Sequence, residues 1–303
     1  MSSIKNKFDT AHTDPHKNFS VTNKKHSKQQ HSSHPERNKM EIKYTNMNPS
    51  APTIKGLIKV HKPSQPIRSV VNWKNAPAYN LAKLFSQKII QLAPLPNTYN
   101  IENTRNLIDK LNHTPLLHHY RFASLDITNL YTNIPIKDTR DILNNTLEQN
   151  STDPKQKQEL MKWFDTIISQ NYFTHNGTIQ IQKDGLAMGP PSSGLISELF
   201  LQQMEHKHLT HLSTKRKIIK YFRYVDDILI IFDSNHTDIQ AILTDFNTLH
   251  SNLKFTAETE TDNMINYLDV TIHRNPTDWK MSTYRNPTFA DTIIPYTSNH
   301  PTT

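Results

Sequence analysis

Tyr224-Val225-Asp226-Asp227, followed by the apolar run Ile228 to Phe232, is the part of the sequence best equipped for chemistry. Two adjacent carboxylates between apolar strands must sit at a tight turn. Packed there without counter-charge they repel and raise one another's pKa, so the arrangement makes physical sense when divalent cations supply the missing charge. Magnesium suits such a site, because it takes oxygen ligands, keeps water and shares its coordination between carboxylates and substrate phosphates. Taken alone, an Asp-Asp pair is equally an ordinary solvated hairpin turn. Asp126 shifts that balance. It ends a predicted strand, SLDI, and two such strands side by side would bring it near Asp226. Three carboxylates suffice to hold two metal ions about 3.5–4 Å apart, one activating an attacking hydroxyl and the other stabilising leaving phosphate oxygens. Nucleotidyl transfer is the natural chemistry of such a set. Tyr131 stands where the chain leaves the strand. Its ring is placed either beneath a nucleotide sugar or, more plainly, in the core.

To hold these groups the chain must alternate strands and helices. Ile54, Leu57, Ile58 and Val60 lead into HKPSQPIRSVV, whose prolines and β-branched residues predict strands and turns. Tyr79 to Leu92 places Leu81, Leu84, Phe85, Ile89 and Leu92 at helical spacing, and Asn103 to Leu111 predicts a second, short helix. After a strand over Phe122 to Ile127, Ile134-Pro135 breaks the chain before a helix from Lys137 to Glu148, with Asp138 and Asp141 suited to its N-terminal end. Leu160, Trp163, Phe164, Ile167 and Ile168 mark the next helix. Phe173, Ile179 and Ile181 then surround His175-Asn176-Gly177, a hairpin turn because Asn and Gly tolerate positive φ. A long helix from Ser192 to His211 precedes a basic cluster of Lys215, Arg216, Lys217, Lys220 and Arg223. Thr237 to Leu249 predicts a helix, and segments around Phe255, Tyr267 to Ile272 and Trp279 to Tyr284 complete a mixed α+β pattern.

Composition narrows the partners. The 303 residues carry 35 Lys and Arg against 27 Asp and Glu, a net charge of +8, which favours a polyanionic partner such as nucleic acid. There is no cysteine, so disulfides, thiolate zinc sites and cysteine nucleophiles are excluded. The longest apolar run is too short to cross a bilayer, so no membrane partner is expected. Residues 1–50 are poor in branched and aromatic apolar side chains and read as a flexible, basic, polar tail. The tail histidines His12, His16, His26, His31 and His34 are irregularly spaced and do not form a recognisable metal motif.

In chain order, SLDITNLYTNIP, GLAMGPPSSG and YFRYVDDILIIF resemble the motifs of a reverse transcriptase. NYLDVTIHR and YRNPTFADTIIPYTSNHP are similar to those of Penelope-like retroelements, and IKVHKPSQPIRSVV resembles the upstream fingers motif of that group. The resemblance spans about residues 54–301. It implies an α+β right-hand polymerase, with an antiparallel palm sheet packed on helices plus fingers, occupying residues 51–303 and ending before a thumb or GIY-YIG endonuclease. Asp126, Asp226 and Asp227 would be the catalytic, metal-binding acids for two Mg2+ ions, with Mn2+ as a substitute. Tyr131 would exclude a ribonucleotide 2′-hydroxyl. Arg68, with Lys62 or Lys59 nearby, would contact the incoming triphosphate, where a guanidinium pairs two phosphate oxygens at once. Met188 and Gly189, in the stretch from Gly185 to Pro190, would lie against the nucleotide. Leu268-Asp269 would fall near the hairpin that positions the primer end. Lys254 would protonate the leaving pyrophosphate, unless it is a plain exposed lysine. Two departures stand out: Ser193-Gly194 replaces the usual serine-proline, and Asn286 stands where a basic residue is frequent.

The expected partners are therefore an RNA template, a DNA primer and dNTPs, and the expected compartment is the nucleus. Two alternatives share much of this reading: a catalytically decayed remnant that only binds nucleic acid, and a group II intron-type maturase polymerase. Intact acids argue against the first. The NLYTNIP and SNHP phrases favour Penelope-like elements over the second.

Overall fold

The computed structural model describes residues 8–10, 46, 48–59, 67–115, 117–275 and 278–285. Lys62, the tail histidines, Asn286 and the phrase running to His300 and Pro301 lie outside the described residues.

A four-stranded antiparallel sheet organises the fold. Strands β4 (Tyr120–Ile127), β7 (Ile218–Tyr224), β8 (Asp227–Asp233) and β9 (Phe255–Thr259) run in the order β7-β8-β4-β9. Alternation decides which side chain goes where. Ala123, Leu125 and Ile127 of β4, with Ile228, Ile230 and Phe232 of β8, face one hydrophobic core. Phe122, Leu229 and Ile231 face a second, made with Ile265, Tyr267, Val270 and Ile272. Because β8 is covered on both faces, Ile228 to Phe232 is continuously apolar rather than alternating. Ile230→Ala would leave a cavity costing about 2–5 kcal/mol.

The first core is closed by helices. In α1 (Tyr79–Leu92), Leu81, Phe85 and Ile89 are buried at four-residue spacing. Phe85 meets Phe164 of α5 (Pro154–Ser169) at 6.2 Å between ring centroids. Asp153 caps α5 by accepting from the amides of Lys155 and Gln156, with Pro154 at the first helical turn. α2 (Thr104–Asn112) begins at Asn103, whose side chain accepts from the Asn106 amide. The short α3 (Leu130–Asn133) follows β4, and α4 (Ile136–Gln149) starts just after Pro135. The central helix α6 (Ser193–Arg216) buries residues around much of its circumference, which is why its sequence lacks a clean polar face. α7 (Ile239–Phe246) is capped by Asp238, which accepts from the Ala241 amide, and is shorter than the stretch from Thr237 to Leu249 suggested.

A second sheet joins β1 (Phe8–Thr10), β2 (Thr53–Ile58), β3 (Ile67–Asn72), β5 (Tyr172–His175) and β6 (Thr178–Gln182) in the order β1-β6-β5-β2-β3. Its β5–β6 hairpin turns at Asn176 and Gly177, both with positive φ, as the Asn-Gly pair predicts. The third sheet is the meander β10 (Met264–Tyr267), β11 (Val270–Arg274) and β12 (Trp279–Thr283). No helix among the described residues is long and apolar enough to cross a membrane.

The expected end of α6 is corrected, and the basic residues that follow His211 divide between different surroundings. α6 runs five residues beyond His211, so Lys215 and Arg216 occupy its last turn, where both pair with Asp245 at 2.8 and 2.7 Å. Arg223 is not a surface residue at all. Its side chain is completely buried.

Candidate active site

Strand register brings the acids together. Asp126 lies directly opposite Asp227 in the β4–β8 ladder, and residues directly opposite share a face of the sheet. Asp226 occupies the two-residue turn between Tyr224 and Asp227, and its carbonyl accepts from the Ile127 amide at 3.0 Å. One end of the β4–β8 pair thus carries all three carboxylates.

The turn itself is strained. Val225, its first central residue, has φ of +56°, whereas Asp226 stays in the ordinary region. Two-residue hairpin turns with positive φ at this position prefer glycine, and a β-branched residue there costs on the order of 1–3 kcal/mol. Three successive carbonyls are pinned, each by a different element. Val225 accepts from Arg223 Nη1 at 3.1 Å, Asp226 from the Ile127 amide, and Asp227 from the Tyr267 hydroxyl at 2.9 Å.

Burial first, and then the charge of Asp126, push the Asp226 carboxyl above the ordinary carboxylate range, while Lys59 and Arg68 oppose the shift. This is the excess of negative charge that a divalent cation relieves, and the donors are all hard oxygens. Among the described residues no three His, Asp or Glu side chains close around a single point. Asp126 and Asp227 are paired across the strands and Asp226 stands in the adjoining turn, so the three share one end of the ladder without closing around a point. The hard oxygen donors of Asp126, Asp226 and Asp227 are of the kind that suits a divalent cation.

Tyr131 sits in α3 with its carbonyl accepting from the Leu186 amide at 2.7 Å. Burial most of all, then the charges of Asp226 and Glu198, raise its phenol pKa, whereas a hydrogen bond with Ser197 and the charge of Arg68 lower it. The Tyr131 phenol thus feels the charges of Asp226, Glu198 and Arg68, and its ring packs partly against the first core. Arg68 is paired across β2–β3 with Leu57, and Lys59 directly follows β2. Both act on Asp226 electrostatically, opposing the rise in its pKa.

The glycine-bearing segment joins these walls by backbone packing. A Cβ on Gly185 would fall 2.4 Å from the carbonyl carbon and oxygen of Thr132, and one on Gly189 would fall 1.9 Å from the Val71 carbonyl oxygen. The Met188 carbonyl accepts from the Val71 amide at 2.8 Å. Gly185 and Gly189 thus allow close approach to α3 and β3 of the chain itself. Lys254 comes close to Asp126 through its main chain: its carbonyl accepts from the Thr128 amide at 2.8 Å, and Thr256 is paired with Asp126. Leu268 and Asp269 form the β10–β11 turn, with Leu268 at φ of +51° and Asp269 accepting from Thr104 Oγ1 at 3.3 Å and, through its carbonyl, from the Tyr284 amide at 2.8 Å. They are tied to the acids indirectly, through Tyr267.

The residues that sequence reasoning missed are those beneath the turn. Arg223 contacts Glu198, Glu205 and Asn100, and Tyr221 donates to Glu205 at 3.0 Å. Burial opposes the guanidinium charge, but the hydrogen bonds it donates to Glu205 and Glu198 outweigh it and hold the Arg223 pKa above the ordinary arginine value. Glu198, Gln202 and Glu205 recur at four- and three-residue intervals and so share a helical face, a signal available in the sequence.

This arrangement has counterparts of known fold. Telomerase from Candida albicans, in complex with a TWJ fragment of telomeric RNA, superposes with a TM-score of 0.56 at 11% identity, over 76% of this chain and 46% of that one. Telomerase from Candida tropicalis, in complex with the same kind of fragment, gives 0.56 at 13% identity, over 87% and 53%. The RNA-dependent RNA polymerase of BmCPV at elongation state gives 0.51 at 13% identity, over 83% and 23%. The chain thus has the right-hand polymerase fold and spans about half the length of these telomerases. No curated protein matches it in sequence. The family described as reverse transcriptase (RNA-dependent DNA polymerase) matches residues 61–264, a stretch that holds Arg68, Asp126, Tyr131, Met188 and the Asp226-Asp227 turn. Two thirds of the sequence and the strand register beneath its acids therefore agree, and the chain belongs to the reverse transcriptase family.

Proposed function

We propose that this chain carries the catalytic centre of an RNA-directed DNA polymerase from a Penelope-like retroelement, extending a DNA primer with dNTPs on an RNA template. The observation that carries the reading is the placement of Asp126 opposite Asp227 with Asp226 in the intervening turn, facing Arg68 and Tyr131. The Penelope-like assignment is supported by SLDITNLYTNIP and NYLDVTIHR. An RNA partner is in keeping with the positive charge and with the RNA-bound telomerase neighbours.

Asp126, Asp226 and Asp227 would hold the divalent ions, magnesium or manganese. Bound there, the ions supply the charge that activates the primer 3′-hydroxyl and stabilises the leaving pyrophosphate oxygens. Arg68 and Lys59 neutralise and orient the triphosphate. Tyr131, carried by α3 and hydrogen-bonded to Ser197 of α6, would present its ring to the sugar and reject a 2′-hydroxyl by contact. Lys254 would give a proton to the leaving pyrophosphate.

Primer extension on an RNA template tests this, comparing the unmodified chain with Asp226→Asn and Tyr131→Ala. The expected result is dNTP-dependent extension that Asp226→Asn abolishes, and ribonucleotide incorporation gained by Tyr131→Ala. Salt-sensitive RNA binding without extension, unchanged by Asp226→Asn, would instead identify a decayed nucleic-acid-binding remnant.

A further inference from the structure

Arg223 is the penultimate residue of β7, three residues before Asp226, and all its donors are used. Nε donates to Glu205 at 2.6 Å. Nη1 donates to Glu198 at 2.7 Å and to the Val225 carbonyl at 3.1 Å. Nη2 meets Asn100 at 2.8 Å, Glu198 at 3.0 Å and Glu205 at 3.1 Å. Glu198 is in turn held by Asn100 Nδ2 at 2.8 Å and Gln202 Nε2 at 3.0 Å. One guanidinium thus faces two carboxylates in the interior. Stability alone does not explain such a cluster, because buried ion pairs are often replaceable by apolar groups without loss.

The contact that carries positional information is the one to Val225. Its carbonyl belongs to the peptide plane entering Asp226, and the Asp226 carbonyl, held by the Ile127 amide, belongs to the plane leaving it. With both planes held, the direction of the Asp226 side chain is set. Val225 resists the conformation this requires, since its φ is +56°.

We propose that Arg223 is a positioning residue for the metal-binding acids: clamped between Glu198 and Glu205, it holds the Val225 carbonyl so that the turn keeps its left-handed residue and Asp226 keeps its place beside Asp126. This rests on the reading of Asp126, Asp226 and Asp227 as metal ligands. Lysine cannot reproduce the fork, because a point charge does not satisfy two carboxylates and a carbonyl at once.

The test is Mn2+ binding to the full chain without nucleotide, followed by electron paramagnetic resonance, alongside thermal unfolding. Arg223→Lys is expected to weaken Mn2+ binding by about 10- to 100-fold, as loss of a residue supporting metal ligands does, while unfolding remains cooperative. Adding Val225→Gly is expected to recover part of that affinity, because glycine takes positive φ without a Cβ penalty. Weakening with no recovery assigns Arg223 to general support of the core and overturns the proposal. Wild-type Mn2+ binding by Arg223→Lys, with loss in Asp226→Asn, overturns the proposal and leaves the metal site standing. Unchanged binding in Asp226→Asn refutes the metal reading itself, and the proposal with it. If Arg223→Lys does not fold, the double variant Arg223→Gln/Glu205→Gln, which keeps the cluster's formal charge, takes its place. Loss of Mn2+ binding in that folded variant supports the proposal, wild-type binding overturns it, and failure of that variant to fold assigns the guanidinium to the fold alone and also overturns it.

Discussion

At the β7–β8 turn the carbonyls of Val225, Asp226 and Asp227 are each held by a different element, above a buried guanidinium with no donor to spare. Across from it, the β2–β3 hairpin bearing Lys59 and Arg68 presents Leu57, Ile58 and Ile67 to solvent and meets the rest of the chain through contacts such as Val71 on Met188 and Thr174 on Pro52. Under the proposed function, the difference follows from what each side would hold. Carboxylates that share a small, hard cation need near-ideal geometry, so their backbone is locked in advance. Cations that grip a triphosphate arriving from solvent gain from a wall free to close on it.

Substitutions on the two sides should separate this contrast. The largest effect is expected from Asp226→Asn. Losing the several kcal/mol of charge stabilisation a bound metal supplies corresponds to a fall in extension rate on the order of 10^3-fold. The same variant removes a carboxylate that burial and Asp126 disfavour, so its thermal unfolding midpoint should rise. A midpoint that fell would show that the acid wall is held together by this charge rather than strained by it.

Gly189→Ala should come next, because it attacks the seam between the two walls. The added Cβ would meet the Val71 carbonyl oxygen at 1.9 Å, at a φ of +142°. A loss of about 3 kcal/mol or more of stability is expected from the backbone displacement and strain together. Denaturant unfolding checks it, and a change below 1 kcal/mol, the ordinary scale of surface substitutions, would show that β3 moves freely past this segment.

Arg68→Ala should raise the KM for dNTP by about 10- to 100-fold, the value of a lost hydrogen bond to a charged group, and leave Mn2+ binding unchanged. Steady-state extension and resonance titration together decide it. A fall in metal affinity instead would mean that the two walls are not separable.

The smallest effect is expected far from both, at the C-terminal end of α6. Arg216 first, helped by Lys215, holds the Asp245 carboxyl down at about 2. A depressed carboxylate contributes stability that is present above its unfolded pKa and lost as pH falls through the folded one. Asp245→Asn should therefore lower the unfolding midpoint slightly at neutral pH, and the difference should vanish as pH falls to about 2. Melting curves across that range, with extension activity unchanged at neutral pH, would confirm that this pair serves the fold alone.

Much of this was legible in the chain itself. The apolar spacing from Tyr79 to Leu92 marks α1 at its actual bounds, and Asn176-Gly177 announces the β5–β6 turn. Asp226-Asp227 between apolar strands, with Asp126 ending another, predicted the meeting that the β4–β8 register shows. Arg223 was not legible in the same way. One residue among Lys215, Arg216, Lys217 and Lys220 carries no mark of burial, although Glu198 and Glu205 on one face of α6 hinted at a hidden cation. The reading of Met188 and Gly189 as lying against a nucleotide came from motif order alone, whereas the close approach of Gly185 to Thr132 and of Gly189 to Val71 comes from the fold.

Local chemistry explains the division. Periodicity, turn residues and adjacent charges act over a few positions, so the sequence by itself determined the elements, the acids and the kind of ion they suit. Which distant groups meet depends on how strands 90 or more residues apart pair and on which helix covers them. The approach of Arg68 and Lys59 to Asp226 and the seam of Gly189 on Val71 join segments separated in this way, and the clamp on Val225 depends on Asn100, Glu198 and Glu205 closing on Arg223. Only the tertiary structure decided them, because the energy that selects those contacts comes from excluding water around all the partners at once.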